Sequence, residues 1–246
     1  MKKILGYIFT PFHYLSFGLL LAIFHPIQVA AHHLFGDHAR KKVVDVLNFV
    51  LVRSLHFVGC RIKFTGFEKI PDGRPLIIVS NHQSLLDIPP IIWGFRKFYP
   101  KFVSKESLAK NLPSVSYNLR HGKSALIDRK NKSQSIKEII KLGRLIEASN
   151  EAACIFPEGT RSKTGHVNRF KSAGVETLLR SAPSALIVPF AIKGHHQLIS
   201  NGPFPLQFGT KITYKVLDPV EPKGQSIEEL VEQLQVSIKG ALEKDK

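Results

Sequence analysis

From Ile4 to Gly36 the chain carries no Lys, Arg, Asp or Glu, a run of 33 residues. A single membrane-spanning helix needs only about 20 apolar residues. Pro11, His13, His25 and Pro26 interrupt the run. The pair His25-Pro26 comes after its most apolar piece, Phe17 to Phe24, and predicts a break between two helices. A further helix is predicted from Lys42 to Val58, with Val44, Leu47, Leu51 and Leu55 on one face. That stripe either lies on a membrane or covers the core of the unit after it.

After Phe57 the pattern changes to short apolar runs alternating with amphipathic stretches. Arg61 to Thr65, Leu76 to Ser80, Lys101 to Ser104, Ser124 to Asp128, Ala153 to Phe156 and Ala185 to Ile192 read as strands. Lys211 to Val216 alternates as an exposed edge strand does. Ser133 to Ala148 is a predicted helix, with Ile136, Ile139, Ile140, Leu142, Leu145 and Ile146 near helical spacing. Ser226 to Leu242 is another, Ser226 serving as N-cap and Glu229 as its box partner. Strands separated by helices predict an α/β fold with a parallel or mixed sheet. Reactive residues of such folds sit at the carboxyl ends of strands. The chain divides into an apolar segment, residues 1–58, and a second unit, residues 59–246.

Charge narrows the partner. Among 246 residues, 35 Lys and Arg face 19 Asp and Glu, a net charge of +16. Such a surplus suits nucleic acid, an anionic membrane or a phosphorylated substrate. No helix-turn-helix, zinc-finger or RNA-recognition signature accompanies it, so the apolar leader makes the lipid bilayer the expected partner and nucleic acid is not expected. Lys2 and Lys3 precede the apolar run, and Arg40, Lys41 and Lys42 come after it. Basic flanks stay in the cytoplasm, so both ends inside means an even number of crossings or none. A shallow two-helix hairpin entering one leaflet is the simplest solution. A signal peptide cleaved near Val29-Ala30-Ala31, a single-span anchor and a buried core helix are the alternatives. Cys60 and Cys154 are the two cysteines; they form no metal-binding spacing and read as reduced packing residues.

Two motifs carry the chemistry. Asn81-His82-Gln83-Ser84-Leu85-Leu86-Asp87 comes after the run Leu76-Ile77-Ile78-Val79. A His and an Asp five apart do not share a helical face. They meet if His82 lies on the loop and Asp87 on the first turn of the next helix. Asp87 then fixes one imidazole nitrogen and leaves the other as base. Asp87 or Ser84 can equally be a helix N-cap. The second motif is Phe156-Pro157-Glu158-Gly159-Thr160-Arg161-Ser162. Gly159 permits a tight turn, and Arg161 can grip a phosphate through two parallel hydrogen bonds. Glu158 either organises the site or pairs with Arg161.

Together, in this order, the motifs resemble the glycerophosphate and acylglycerophosphate acyltransferase family, whose hallmarks are HxxxxD and FPEGTRS. Ala125-Leu126-Ile127-Asp128-Arg129 resembles a block between them, with Gly122 one place from its usual position. Val188-Pro189-Phe190-Ala191-Ile192 resembles the last block, tied to acyl-donor binding or fold integrity. Lys105 matches a basic position common in the family. The resemblance implies a mixed sheet flanked by helices, an acyltransferase domain over residues 59–246 and a membrane-associated hairpin before it. It implies His82 and Asp87 as catalytic, and Lys105, Arg129, Glu158, Gly159, Thr160 and Arg161 as substrate-binding, with the Gly159 N–H as a candidate oxyanion donor. It implies transfer from acyl-CoA or acyl carrier protein, with no bound cofactor or metal, onto lysophosphatidic acid. Glycerol-3-phosphate, a lysophospholipid and a lyso-ornithine lipid are the competing acceptors. The expected location is the cytoplasmic face of a membrane, the bacterial inner membrane.

Overall fold

The computed structural model describes residues 1–243. Seven strands form one sheet: β1 (Arg61–Thr65), β2 (Leu76–Ser80), β3 (Lys101–Lys105), β4 (Ala125–Ile127), β5 (Ala152–Ile155), β6 (Leu186–Lys193) and β7 (Lys211–Val216). Their order is β1-β7-β6-β2-β5-β3-β4. All neighbours are parallel except β6 and β7, which run antiparallel.

The apolar runs of β2, β5 and β6 lack alternation because both faces of the sheet are covered. Leu76 and Ile78 of β2 join one core with Cys154, Val188 and Phe190. Ile77 and Val79 join the other with Ala153, Ile187 and Ala191. The second core is roofed by α4 (Lys132–Ser149), α5 (Ser172–Ser181) and α7 (Ile227–Glu243). Asn131 caps α4 through Gln134 N at 3.0 Å. Ser226 and Glu229 form the reciprocal box ahead of α7, with Ser226 N to Glu229 Oε2 at 2.9 Å. Both thiols are buried and free, and burial pushes the Cys60 thiol up to about 12.

Lys211–Val216 is not an edge. It lies inside the sheet between β1 and β6. Its alternation arises because Ile212, Tyr214 and Val216 face a core while Lys211, Thr213 and Lys215 face the thinly covered side.

The first core is closed by the leader itself. Helix α1 (Lys2–Ser54) contains Pro11 and Pro26 without breaking, and turns only at Gly36 (φ 79°, ψ −172°). The predicted corner at His25-Pro26 is therefore displaced. A reversal of this kind needs a positive φ that glycine adopts freely, whereas proline only removes one donor from the helix. The two arms, 2–35 and 37–54, fold back on each other, with His13 Nδ1 at 3.1 Å from Ser54 O. The second arm takes in the predicted Lys42–Val58 stripe: Val44, Leu47, Leu51 and Leu55 are all buried, and Val44, Val52 and Leu55 belong to the same core as β2.

The basic flank at the corner is not a free charge cluster. Arg40 is fully buried and donates to Asp37 and to Asn118 Oδ1 on helix α3 (Val115–His121), each at 2.7 Å. Lys41 pairs with Asp45 at 2.5 Å. The first arm keeps an exposed stripe of Ile4, Ile8, Phe12, Leu15, Leu19, Ile23 and Ile27, whose steps of three and four residues define one helical face. Its other face holds the body at several points: Thr10 Oγ1 accepts from Leu206 N at 2.9 Å, and Ser114 Oγ donates to Leu21 O at 3.0 Å.

Candidate active site

The parallel strands aim their carboxyl ends at one edge of the sheet, and the motif residues gather there. His82 comes after β2, Glu158 to Arg161 after β5 and Arg129 after β4, while Lys105 ends β3. Lys105 pairs in register with Ile127, two residues before Arg129.

Asp87 is completely buried at the end of a single 3₁₀ turn, Leu85–Asp87, that leads into α2 (Ile88–Gly94). Ser84 caps the turn, accepting from Leu86 N at 2.9 Å. Asp87 Oδ2 accepts from His82 Nδ1 at 2.8 Å, from Gln83 N at 2.6 Å and from Ser84 N at 2.9 Å. Capping and ring-holding are thus one act. Burial by itself pushes this carboxyl up. Hydrogen bonds from His195 and His82, together with the charge of both rings, outweigh it and hold Asp87 down at about 2. With Nδ1–H committed to the carboxylate, the lone pair of His82 sits on Nε2.

The His82 ring stacks on Phe156, centroids 4.1 Å apart and planes 18° from parallel. Its backbone is held as firmly. His82 N donates to Glu158 Oε1 at 2.7 Å, and His82 O accepts from Ser162 N at 2.8 Å. Glu158 is itself buried, and its second oxygen accepts from Asn168 N at 2.9 Å. Burial pushes its carboxyl up, against the pull of these two backbone donors. Glu158 does not pair with Arg161. It is the clamp that joins the β2 and β5 loops.

Gly159 lies at φ +71°, and its N–H donates to Phe156 O at 3.0 Å. That turn commits the donor, so the expected oxyanion role does not fit this arrangement. Thr160, Arg161, Lys105 and Arg129 are exposed on the same carboxyl edge. The structure therefore brings His82, Asp87 and Glu158 into direct contact and leaves the basic side chains ranged along the rim.

Two residues, His195 and Tyr214, escaped the sequence reading, and two more, Phe156 and Gln83, stood inside the motifs without a role. His195, fully buried at the start of the short helix α6 (His195–Leu198), directs Nδ1 to Asp87 Oδ1. The Tyr214 hydroxyl lies 2.8 Å from His195 Nε2. Burial, with Asp87 nearby, pushes Tyr214 well above the usual tyrosine range, so this hydroxyl keeps its proton. Phe156 is the stacking platform. Gln83 accepts from His196 N at 3.2 Å and so ties the loop after β2 to the one after β6. The available signal was positional: His195 comes after β6, another strand whose carboxyl end lies on this edge.

A family model described as acyltransferase matches residues 61–193, a stretch that holds every motif residue of the site. A 1-acyl-sn-glycerol-3-phosphate acyltransferase of Cocos nucifera is 36% identical over 160 residues, 65% of this chain and 50% of that protein. One of Limnanthes douglasii is 30% identical over 172 residues, 70% of this chain and 59% of its own length. The chain thus spans between half and three fifths of these two relatives. The crystal structure of the 1-acyl-sn-glycerophosphate (LPA) acyltransferase PlsC from Thermotoga maritima superimposes with a TM-score of 0.79 at 28% identity, covering 99% of this chain and 97% of that one.

Proposed function

Because the chain belongs to the acyltransferase family, we propose that it transfers an acyl group from a thioester donor to the free hydroxyl of 1-acylglycerol-3-phosphate, making phosphatidic acid. The observation that carries this reading is the orientation of His82. Its Nδ1 is fixed by a buried carboxylate, its ring lies on Phe156, and its Nε2 is left as a base at the strand edge where Lys105, Arg129 and Arg161 stand exposed.

His82 Nε2 takes the proton of the acceptor hydroxyl as the oxygen attacks the thioester carbonyl. The C–O bond forms, and the tetrahedral intermediate collapses by breaking the C–S bond. The departing thiolate takes the proton from the imidazolium, which restores the base. A positioned base of this kind contributes about 10²–10⁴-fold. Holding the hydroxyl against the carbonyl contributes further. Arg129 and Arg161 are the candidate ligands for the acceptor phosphate, since a guanidinium matches a phosphate through two parallel hydrogen bonds. The donor is acyl-CoA or acyl carrier protein, and the chemistry needs no metal because a thiolate is already a good leaving group.

The lipid acceptor fits the leader. The apolar stripe from Ile4 to Ile27 faces outward while the opposite face is bonded to the body along its length. A perpendicular crossing would carry that body into hydrocarbon. The arm is therefore read as lying in one leaflet. Because Lys2 and Lys3 precede the apolar run, and basic flanks stay in the cytoplasm, we further propose the cytoplasmic face of a membrane, the inner membrane of a bacterium.

The test is transfer of labelled acyl groups by purified protein in detergent. Acyl-CoA and acyl carrier protein are offered with lysophosphatidic acid, glycerol-3-phosphate and lysophosphatidylcholine, beside the His82→Ala variant. Phosphatidic acid formed by the wild type and lost in the variant supports the reading. Transfer only to another acceptor, or none to any, rejects it.

A further inference from the structure

Next to the site, between the carboxyl end of β6 and the start of β7, lies a cavity of about 350 Å³. That is within the range of roughly 300–1,000 Å³ usual for small-molecule sites. Its polar lining comes from Gln83, Lys193, His196, Gln197, Lys211 and Thr213, and no carboxylate lines it among the described residues. The Lys193 Nζ atom is buried and meets no hydrogen-bond partner among the described residues. A buried cation without a counter-charge is costly. The backbone holds the two lysines close. Lys193 pairs in register with Thr213, and Gly194 sits at φ +101°, where an added Cβ would fall 2.2 Å from Lys211 O. Only glycine permits that approach.

We propose that this cavity binds a phosphate group, and that the phosphate is the one at the end of the acyl donor's pantetheine arm, with Lys193 and Lys211 as its cationic ligands. The assignment rests on the acyl-transfer reading of His82. That base comes after β2, in the middle of the sheet. On one flank β5, β3 and β4 present Arg161, Lys105 and Arg129, the basic groups assigned to the acceptor. On the other flank β6 and β7 present Lys193 and Lys211. Two anionic substrates must meet at one base, and the second basic flank falls to the donor. β7 lies two strand spacings from β2, about 10 Å, a span that a pantetheine chain bridges without full extension. The cavity is coupled to the base through Gln83, the residue after His82, which donates to Gly165 O and accepts from His196 N. Acyl-CoA and acyl carrier protein share this arm, so the proposal covers both.

The experiment uses the full chain in detergent. Coenzyme A is titrated calorimetrically into wild type, Lys193→Met and Lys211→Gln, and KM is measured for acyl-CoA, acyl carrier protein and lysophosphatidic acid. Lys211 is exposed, so its variant guards against a folding defect in the other. The expected result is coenzyme A binding weakened about tenfold in each variant, the effect of losing one charge-assisted hydrogen bond. KM rises similarly for both donors while that for lysophosphatidic acid holds. A rise for lysophosphatidic acid alone overturns the proposal, because the phosphate is then the acceptor's. A rise for acyl-CoA alone also overturns it, because the pantetheine phosphate is then not the one bound. No change in either variant leaves the cavity to water and overturns it too. Lysine-dependent coenzyme A binding by a protein that acylates none of the offered acceptors would reject the proposed acceptor and leave this site standing.

Discussion

His195 closes its Nδ1 on Oδ1 of Asp87, the carboxylate oxygen that the HxxxxD loop leaves untouched. The carboxylate is therefore gripped from two sides, by the loop after β2 and by the loop after β6. His195→Ala would strand Oδ1 and the Tyr214 hydroxyl in a buried site, at about 1–3 kcal/mol for each unsatisfied group. The expected outcome is a loss of about 2–4 kcal/mol in urea unfolding and a fall in kcat, since Asp87 then drifts. Tyr214→Phe, which removes only the hydroxyl, should cost less on both measures.

His82→Ala is the opposite case. The ring bonds Asp87 at one nitrogen and keeps 14% of its side-chain surface exposed. Its loss should lower kcat by about 10²–10⁴-fold with little change in KM for the acceptor. Circular dichroism melting of the variant separates this from unfolding: a melting temperature far below that of the wild type would point to a structural role instead.

The depressed Asp87 sets an acid limit. Its folded pKa of about 2 lies below the ordinary value of 3.8, so its contribution to stability is present above about pH 4 and is lost as pH falls through 2. The shift corresponds to about 2 kcal/mol. The difference in unfolding free energy between wild type and Asp87→Asn should therefore shrink between pH 4 and pH 2. A difference that stays constant over that window would contradict the assignment.

Arg129 and Arg161 are exposed, so their substitution should leave the fold intact. Arg161→Ala and Arg129→Ala are each expected to raise KM for lysophosphatidic acid by about tenfold or more, the loss of a charge-assisted contact. Lysine at either position should recover only part of this, because an ammonium cannot match the bidentate geometry. Initial-rate kinetics at saturating donor measure it.

The outward stripe of the first arm gives a prediction independent of catalysis. Phe12→Asp with Leu15→Glu places two charges at exposed positions that belong to neither core among the described residues. Flotation with anionic vesicles should show reduced binding, with an unchanged melting temperature in detergent. Undiminished flotation would remove this face from the membrane contact.

The sheet was readable because its central strands are uninterrupted apolar runs, and such runs of β-branched residues pack well on both faces. The HxxxxD and FPEGTRS segments were readable because each comes directly after one of those strands. The partners across the sheet were not. Alternation in Lys211–Val216 reports which face is wet, and says nothing about which strands lie alongside. His195 reaches Asp87 from 108 positions away, a distance that no local pattern encodes. The corner of the leader was misplaced for a related reason. A proline marks a lost hydrogen bond that a helix can absorb, whereas the reversal at Gly36 depends on a backbone angle and on the buried Arg40 that ties the corner to Asn118.

The fold-back at Gly36 also decides what proteolysis can do. Many tethered enzymes are released intact when a protease cuts the stalk between anchor and domain. Here no stalk intervenes: the arm after the corner is a wall of the core, and the arm before it is hydrogen-bonded to the body on its inner face. Shaving off the apolar segment would strip Val44, Val52 and Leu55 from the floor beneath β2 or bare the surfaces they shelter. A cut in this segment would therefore open the core of the acyltransferase domain rather than release the domain intact.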